Sequence, residues 1–171
     1  ERTKFMIVVH TKKELDEQLA EWRQHGDHIA MVPTMGNLHA GHVSLVELER
    51  EHAERVVVSI FVNPTQIGEG EDLEEYTTKL ERTTRLLKRP AADLIFAPDV
   101  ETMYPFGLKD ATTVSVPRIT ENFCGASRPG HFDGVTSVVA RLFALVQPDA
   151  AFFGQKDYQQ QLVIRHMSQD L

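Results

Sequence analysis

Two histidines three residues apart, His39 and His42, stand after a glycine-spaced turn in the stretch MVPTMGNLHAGHVSL. The stretch predicts a chain that leaves a strand, turns at Gly36 and enters a helix. The first turn of a helix presents free backbone N–H groups and the positive end of the helix dipole, so it favours anions. Residues three apart share one side of a helix, so both imidazoles could face a bound phosphate.

A histidine pair can also belong to a metal site, and the plainest alternative is two surface histidines in a turn. A zinc site needs a third ligand, usually another histidine or a carboxylate. The stretch has no HExxH spacing, and Cys124 is the single cysteine of the chain. Gly36 and Gly41 would let the backbone approach a bulky anion closely. These residues therefore favour a phosphate cradle over a metal site.

A second polar segment, FGQKDYQQ at residues 153–160, has the same position relative to a predicted strand. Lys156 supplies a point charge suited to phosphate. Asp157 could accept hydrogen bonds from ribose hydroxyls, and Gln160 lies about one helical turn further on. The alternative is equally simple: Asp157 only caps the following helix, and Lys156 is a solvated charge.

Two further segments carry polar groups that could bind a small substrate. NPTQ at residues 63–66 follows the most apolar run of the chain, and Gln66 could bind a carboxylate or a hydroxyl. ASRPGHFDG at residues 126–134 adds Arg128 and His131. Arg128 could clamp a carboxylate or phosphate, or it could be a structural surface arginine.

The elements that must position these side chains alternate between strands and helices. Strands are predicted at 5–10, 28–34, 55–63, 92–98 and 149–154, and helices at 11–26, 41–53, about 73–89, 134–146 and 157–169. Residues 99–132 are predicted to be irregular, with one possible strand at 112–116. Such alternation is typical of a parallel sheet that binds ligands at the carboxyl ends of its strands. We therefore expect the polar segments after these strands to converge.

Length, composition and charge indicate what kind of protein this is. The chain has 171 residues, 42% of them hydrophobic, which suits one globular domain with a core. Its formal charge of −7 argues against general binding of nucleic acid. No run is long enough for a membrane span or a signal peptide, and the lone cysteine fits a reducing compartment, so we expect a cytoplasmic protein. We interpret Met6 as a candidate natural start, with residues 1–5 added to it.

Four motifs together are far more specific than the HxGH pattern shared by many nucleotidyltransferases. VPTMGNLHAGH, VVSIFVNPTQ, GASRPGHFDGV and FGQKDYQQ, in this order and spacing, closely resemble the pantoate–β-alanine ligase family from about Met6 to the last residue. The resemblance implies a Rossmann-like α/β fold, a parallel sheet with helices on both faces. It also implies a reaction in which ATP and pantoate give pantoyl adenylate, which β-alanine converts to pantothenate and AMP. A homodimer and magnesium accompanying ATP are implied too.

The resemblance also implies roles for individual residues. His42, His39 and Lys156 would be catalytic, the two histidines stabilising the transition state at the α-phosphate. ATP would be bound by Met35, Gly36, Asn37, Leu38, His39, Ala40, Gly41 and His42 and by Gly154, Gln155, Lys156 and Asp157. Pantoate would be held by Gln66 and Gln160, with Pro33, Met35, Phe61, Val138 and Val139 as apolar walls. Arg128 and His131 form a candidate anion clamp.

The sequence departs from the family pattern at several positions. Arg82 and Thr83 stand where the family has acidic residues near magnesium and phosphate, so the metal ligands stay undetermined. Gln155 replaces a glutamate, and Thr65 and Ile67 replace residues that pack around the pantoate pocket. These changes motivate two alternatives: a nucleotidyltransferase acting on another carboxylate or phosphoester, and a degenerate nucleotide-binding domain.

The family has a smaller C-terminal lid domain, and residues 1–171 match only the part before it. We therefore expect residues 1–171 to form a nucleotide- and pantoate-binding domain that is poorly active alone, because a lid excludes water and adds phosphate contacts.

Overall fold

A computed structural model describes residues 6–35, 40–61, 78, 80–82, 84–85, 87, 92–117, 131–153 and 158–171; the side chains of residues 40, 131, 132, 158 and 159 lie outside this description. Its centre is a five-stranded sheet in the order β1-β4-β3-β2-β5, and all four pairings are parallel. The predicted fold class is confirmed.

The strands follow the apolar runs of the sequence. They are β1 (Ile7–Val9), β2 (Ile29–Thr34), β3 (Arg55–Ile60), β4 (Leu94–Phe96) and β5 (Ala150–Ala151). Strand β3 is the most apolar and pairs with both β2 and β4, as the unbroken run VVVSIF predicts for a central strand. Strands β1 and β5 form the two edges, and β1 is only half-buried at Ile7 and Val8.

Five helices have described bounds: α1 (Lys12–Gln24), α2 (Ala40–Arg50), α3 (Val100–Met103), α4 (His131–Val146) and α5 (Tyr158–Asp170). The described residues between 78 and 87 are also helical. Helix α1 begins at a capping box, in which the Thr11 side chain accepts from the backbone N–H of Glu14 at 3.2 Å. It is followed by Gly26 at φ +77°, a conformation that favours glycine. No described helix has both the length and the apolar character needed to cross a bilayer.

The helices cover both faces of the sheet. On one face, α1, α4 and α5 pack with the strands in one apolar cluster, which includes Leu15, Met31, Val57, Leu142 and Val163. On the other face, Val46 of α2 and Leu87 pack against the alternate strand residues, which include Val32, Val58 and Ile95. Alternate residues of each strand thus serve different clusters, because strand side chains alternate between faces.

Two predictions about local structure were wrong. Residues 112–116 pair with no strand of the described sheet; they lie against α4 instead. Residues 100–103 form the short helix α3, capped by Asp99, whose carboxylate accepts from the N–H of Thr102 at 2.7 Å. On α2 the apolar Leu48 is half exposed, whereas the neighbouring Glu49 is buried.

Asp93 binds several elements together at the amino edge of the sheet. Its buried carboxylate accepts from Nη2 of Arg50 at 3.0 Å and from the backbone N–H of Val56 at 2.8 Å. Nη1 of Arg55 lies 3.5 Å from the same carboxylate. The backbone carbonyl of Asp93 accepts from the N–H of Ile7 at 3.0 Å. One residue therefore connects β1, β3 and α2 at the edge opposite the predicted site.

Glu49 is a buried carboxylate without a hydrogen-bond partner among the described residues. Burial raises the pKa of Glu49, and His52 opposes this only partly. A carboxyl group whose folded-state pKa is raised favours folding most when protonated, so its contribution is lost as pH rises through that pKa.

We expect Glu49→Gln to unfold at a higher urea midpoint than the parent chain near neutral pH. The difference should shrink below about pH 4, where the parent carboxyl group is protonated. Urea titrations at both pH values check this, with Glu47→Gln on the exposed side of α2 as the matched control. A Glu49→Gln chain that is less stable at both pH values would contradict the expectation.

Candidate active site

The carboxyl edge of the sheet brings the ends of three strands side by side. Strand β2 lies between β3 and β5, with Thr34 opposite Ile60 and Met31 opposite Ala151. On one side of β2 lies β3, which the chain reaches from β2 through α2. On the other side of β2 lies β5, which the chain reaches from β4 and which α4 precedes. Connections that diverge in this way open a crevice between them, which is where ligands bind in such sheets. The expected convergence of the three strand ends is therefore present in the backbone.

Helix α2 begins at this crevice. It starts at Ala40, six residues after the last residue of β2, and His42 lies half-buried in its first turn. Residues 40–43 include no acidic side chain, so nothing in the first turn neutralises the positive end of the dipole. His42 is therefore placed where it could donate a hydrogen bond to an anion bound at the helix start.

Several predicted site residues lie outside the described residues. They are Gly36, Asn37, Leu38, His39, Gln66, Arg128, Gly154, Gln155, Lys156 and Asp157, together with the side chains of Ala40 and His131. Two of these segments lie next to described elements: residues 36–39 come between β2 and α2, and residues 154–157 precede α5.

The predicted apolar walls share one cluster. Phe61, Val138 and Val139 are buried in the same contiguous core, and Met35 packs against it from a half-buried position. Pro33 is half-buried near the end of β2. Strand β3 ends beside Phe61, and α4 contributes the two valines, so residues far apart in sequence share one cluster.

Helix α5 contributes the predicted Gln160, which is half-buried in its first turn. Its neighbour Gln161 reaches back to the end of β5, where Nε2 donates to the carbonyl of Phe153 at 3.4 Å. The start of α5 is thus attached to the strand end that leads into residues 154–157.

An aromatic stack behind Phe61 was not predicted. The rings of Phe61 and Tyr104 have centroids 6.2 Å apart, and the guanidinium of Arg141 lies 4.5 Å from the centroid of Tyr104. Burial raises the pKa of the Tyr104 hydroxyl, and the charge of Arg141 opposes this. Arg141 also donates to the carbonyls of Met103 and Thr112, each at 3.0 Å. Phe61 thus packs against a tyrosine ring that is itself held by Arg141.

Two buried hydroxyls at the carboxyl edge were also missed. Thr34 ends β2 and Ser59 precedes the last residue of β3, and neither side-chain oxygen has a hydrogen-bond partner among the described residues. A signal for them existed, because each is a polar residue that directly follows a run of apolar or proline residues in its strand. Unpartnered buried hydroxyls are costly, and they occur here at the edge where a ligand is expected.

The described residues contain no group of three or more histidine, cysteine, aspartate or glutamate side chains that could hold a metal ion. Arg82, at a position where the resemblance predicts an acid, is exposed on the helical segment between 78 and 87, and Thr83 lies outside the description.

A family model described as pantoate-beta-alanine ligase matches residues 7–171. A pantothenate synthetase from Azotobacter vinelandii is 52% identical over 166 residues, which cover 97% of this chain and 59% of that protein. A pantothenate synthetase from Stenotrophomonas maltophilia is 54% identical over 157 residues, covering 92% of this chain and 56% of that protein. The chain therefore spans a little over half the length of these relatives.

Solved structures give the same result at the level of the fold. A pantothenate synthetase from Thermus thermophilus superposes with a TM-score of 0.83 at 51% identity, over 96% of this chain and 58% of that chain. A pantoate-beta-alanine ligase from Francisella tularensis, complexed with beta-gamma ATP and beta-alanine, superposes with a TM-score of 0.84 at 33% identity, over 97% of this chain and 63% of that chain.

Proposed function

The chain belongs to the pantoate–β-alanine ligase family, and from that premise we propose that it takes part in the ATP-dependent condensation of pantoate with β-alanine. A carboxylate oxygen of pantoate attacks the α-phosphorus of ATP, and pyrophosphate leaves. The amine of β-alanine then attacks the acyl carbon of pantoyl adenylate, loses a proton and displaces AMP. The observation that carries the proposal is the start of α2 at the crevice between the strand ends, in a chain matched by this family over residues 7–171.

The first step needs charge stabilisation and alignment more than a strong base. We assign that stabilisation to the first turn of α2, where His42 and the backbone N–H groups would donate to the α-phosphate oxygens as negative charge develops. His39 would act beside it, and residues 35–42 as a whole would wrap the phosphates. The absence of an acid at residues 40–43 supports this, since an anion there meets an uncompensated helix dipole.

Pantoate carries a carboxylate, hydroxyls and a gem-dimethyl group, so its site needs neutral polar groups beside an apolar wall. We assign the polar contacts to Gln66 and Gln160. The wall would come from Pro33, Met35, Phe61, Val138 and Val139. The shared cluster of Met35, Phe61 and the two valines supports this assignment, because these apolar side chains already pack together.

The remaining ATP contacts are assigned to the segment before α5. Lys156 would bind phosphates, Gly154 and Asp157 would bind the ribose side, and Gln155 would also contact ATP. Arg128 and His131 are assigned to a clamp for a carboxylate or phosphate. Mg²⁺ would enter with ATP and screen its phosphates, and its protein ligands are left unassigned.

The domain assignment, the oligomeric state and the location that we propose are those implied by the family. We propose that residues 1–171 are the nucleotide- and pantoate-binding domain, that turnover by this chain alone is slow, and that the protein is a cytoplasmic homodimer. The comparison that supports a domain assignment is coverage: the match takes in 97% of this chain but 59% of the relative from Azotobacter vinelandii.

Pyrophosphate exchange tests the proposal directly. With ATP and labelled pyrophosphate, we expect label to enter ATP when pantoate is added and not when other small carboxylic acids are added at equal concentration. Exchange with a different acid would favour a nucleotidyltransferase of other specificity. No exchange, together with no heat of binding for ATP or pantoate in titration calorimetry, would favour a degenerate nucleotide-binding domain.

A further inference from the structure

Two side chains, Tyr104 and Arg141, join Phe61 at the end of β3 to helix α4. The rings of Phe61 and Tyr104 have centroids 6.2 Å apart and planes tilted by 43°. The guanidinium of Arg141 lies 4.5 Å from the centroid of the Tyr104 ring. Its Nη1 donates to the carbonyl of Met103 and its Nη2 to the carbonyl of Thr112, each at 3.0 Å. We call Tyr104 and Arg141 the 104–141 bridge.

The 104–141 bridge is held in place at both residues. Tyr104 is buried directly after α3, and its backbone N–H donates to the carbonyl of Val100 at 2.7 Å. The guanidinium of Arg141 is planar, so its place over the ring and its two hydrogen bonds leave it little freedom. Within the described residues the Tyr104 hydroxyl makes no hydrogen bond, so the bridge depends on the ring rather than on the hydroxyl.

The bridge connects the two parts of the apolar wall assigned to pantoate. Phe61 follows the last residue of β3, whereas Val138 and Val139 belong to α4. Arg141 comes three residues after Val138, so the two side chains lie on one side of α4. Phe61, Tyr104 and the two valines belong to one buried cluster. The 104–141 bridge is therefore a direct physical connection between Phe61 and α4.

We propose that Tyr104 and Arg141 are positioning residues that set the spacing between Phe61 and α4, and with it the preference of the site for an acid that carries two methyl groups. Neither residue is assigned a contact with a reacting atom. The inference rests on the function proposed above, in which Phe61 and the two valines of α4 contact the gem-dimethyl group of pantoate.

The preference follows from the contacts that a wall of fixed spacing can make. Burying two methyl groups between well-placed apolar side chains strengthens binding by about 15-fold. Dispersion contacts weaken steeply when a gap opens, so a wall that relaxes loses much of this gain. The analogue of pantoate without both methyl groups, 2,4-dihydroxybutanoate, has no such contacts to lose. Its affinity should therefore depend little on where Phe61 lies.

Titration calorimetry with pantoate and with 2,4-dihydroxybutanoate measures this preference. In Tyr104→Leu we expect the Kd for pantoate to rise about tenfold, because the ring contact with Phe61 is lost. The Kd for the unmethylated acid and the Kd for ATP should change less than about threefold, and kcat of exchange at saturating pantoate should be unchanged. Arg141→Met should act in the same direction as Tyr104→Leu, and Tyr104→Phe, which keeps the ring, should retain the parent preference.

Trp22→Leu separates positioning from a general loss of stability. The guanidinium of Arg55 lies 4.9 Å from the ring centroid of the buried Trp22, so the same kind of pair is removed in the last turn of α1. The melting temperature should fall in Trp22→Leu, whereas the preference of the folded chain for pantoate should be that of the parent. An equal loss of preference in Trp22→Leu and Tyr104→Leu would overturn the inference.

The double variant Tyr104→Leu/Arg141→Met tests whether the bridge acts as a unit. Because both residues act on Phe61 through one contact, the double variant should weaken pantoate binding by less than the product of the two single effects. Effects that multiply, or a Tyr104→Leu chain that keeps the parent preference, would overturn the inference and leave the ligase proposal standing. A parent chain that binds no pantoate would overturn both.

Discussion

Replacing His42 by alanine should lower the rate of pantoate-dependent pyrophosphate exchange by about 10²- to 10³-fold, the usual loss when one preorganised donor to a developing oxyanion is removed. His42 is held in the first turn of α2, so its position is set by a helix that packs on β2 and β3. A donor on a rigid element needs no reorganisation during the reaction. The loss should appear mainly in kcat, with a smaller change in the KM for ATP.

The matched control is His52→Ala. His52 is exposed just beyond the C-terminal end of the same helix, so its removal should leave exchange unchanged. His42→Gln keeps a neutral hydrogen-bond donor and should fall between the parent chain and His42→Ala. If His42→Ala instead weakens ATP binding by the full factor and spares kcat, His42 binds the ground state and the proposed role in the transition state is wrong.

Replacing Asp93 by asparagine should lower the free energy of unfolding by about 3 kcal/mol, because removing one partner of a buried ion pair leaves buried charge uncompensated. The Asp93 carboxylate is 1% exposed, and the arginines that approach it, Arg50 and Arg55, are 16% and 13% exposed. Asparagine keeps the shape and can still accept from the N–H of Val56, so the effect isolates the charge.

Urea unfolding of the Asp93→Asn chain measures this loss. Asp16→Asn is the control, since Asp16 pairs with Lys12 at 2.5 Å on the exposed surface of α1, where ion pairs contribute at most about 1 kcal/mol. Equal, small losses in the two variants would mean that the charges at the amino edge are solvated well enough to tolerate the change. Exchange activity per folded molecule should be the same in both, because Asp93 lies at the edge opposite the crevice.

Much of the fold could be predicted because it rests on local patterns. The capping box at Thr11 and Glu14, the spacing of Leu15, Leu19 and Trp22, and the apolar run of β3 each report a single element. The predictions failed where contacts with an element distant in sequence determine the local structure. Residues 112–116 have the composition of a strand, but Thr136 and Ser137 of α4 take the backbone bonds that a sheet would have used.

The candidate site divides in the same way. Sheet topology follows from the alternation of elements, so the meeting of three strand ends could be expected from sequence. The contact of Phe61 with Tyr104, and of Tyr104 with Arg141, joins residues that are distant in sequence and has no local signature. Glu49 was missed because a charged side chain is normally expected at the surface. It lies three residues after the buried Val46, on the same side of α2, and that side packs on the sheet.

The order of the strands also governs how the chain acquires its structure. Strand β1 pairs with β4, with Ile7 opposite Leu94. One side of β2 is paired only by β5, and beside that pairing the carboxylate of Asp149 accepts from the N–H of Ile29, which lies 120 positions earlier in the chain. Such non-local pairing slows folding, because long loops must close before their contacts form. On the ribosome, β1 and one side of β2 therefore remain unpaired until β4 and β5 have been synthesised. We expect nascent chains of this protein to expose apolar strand edges for longer than a helical protein of equal length would, and to depend correspondingly on chaperones.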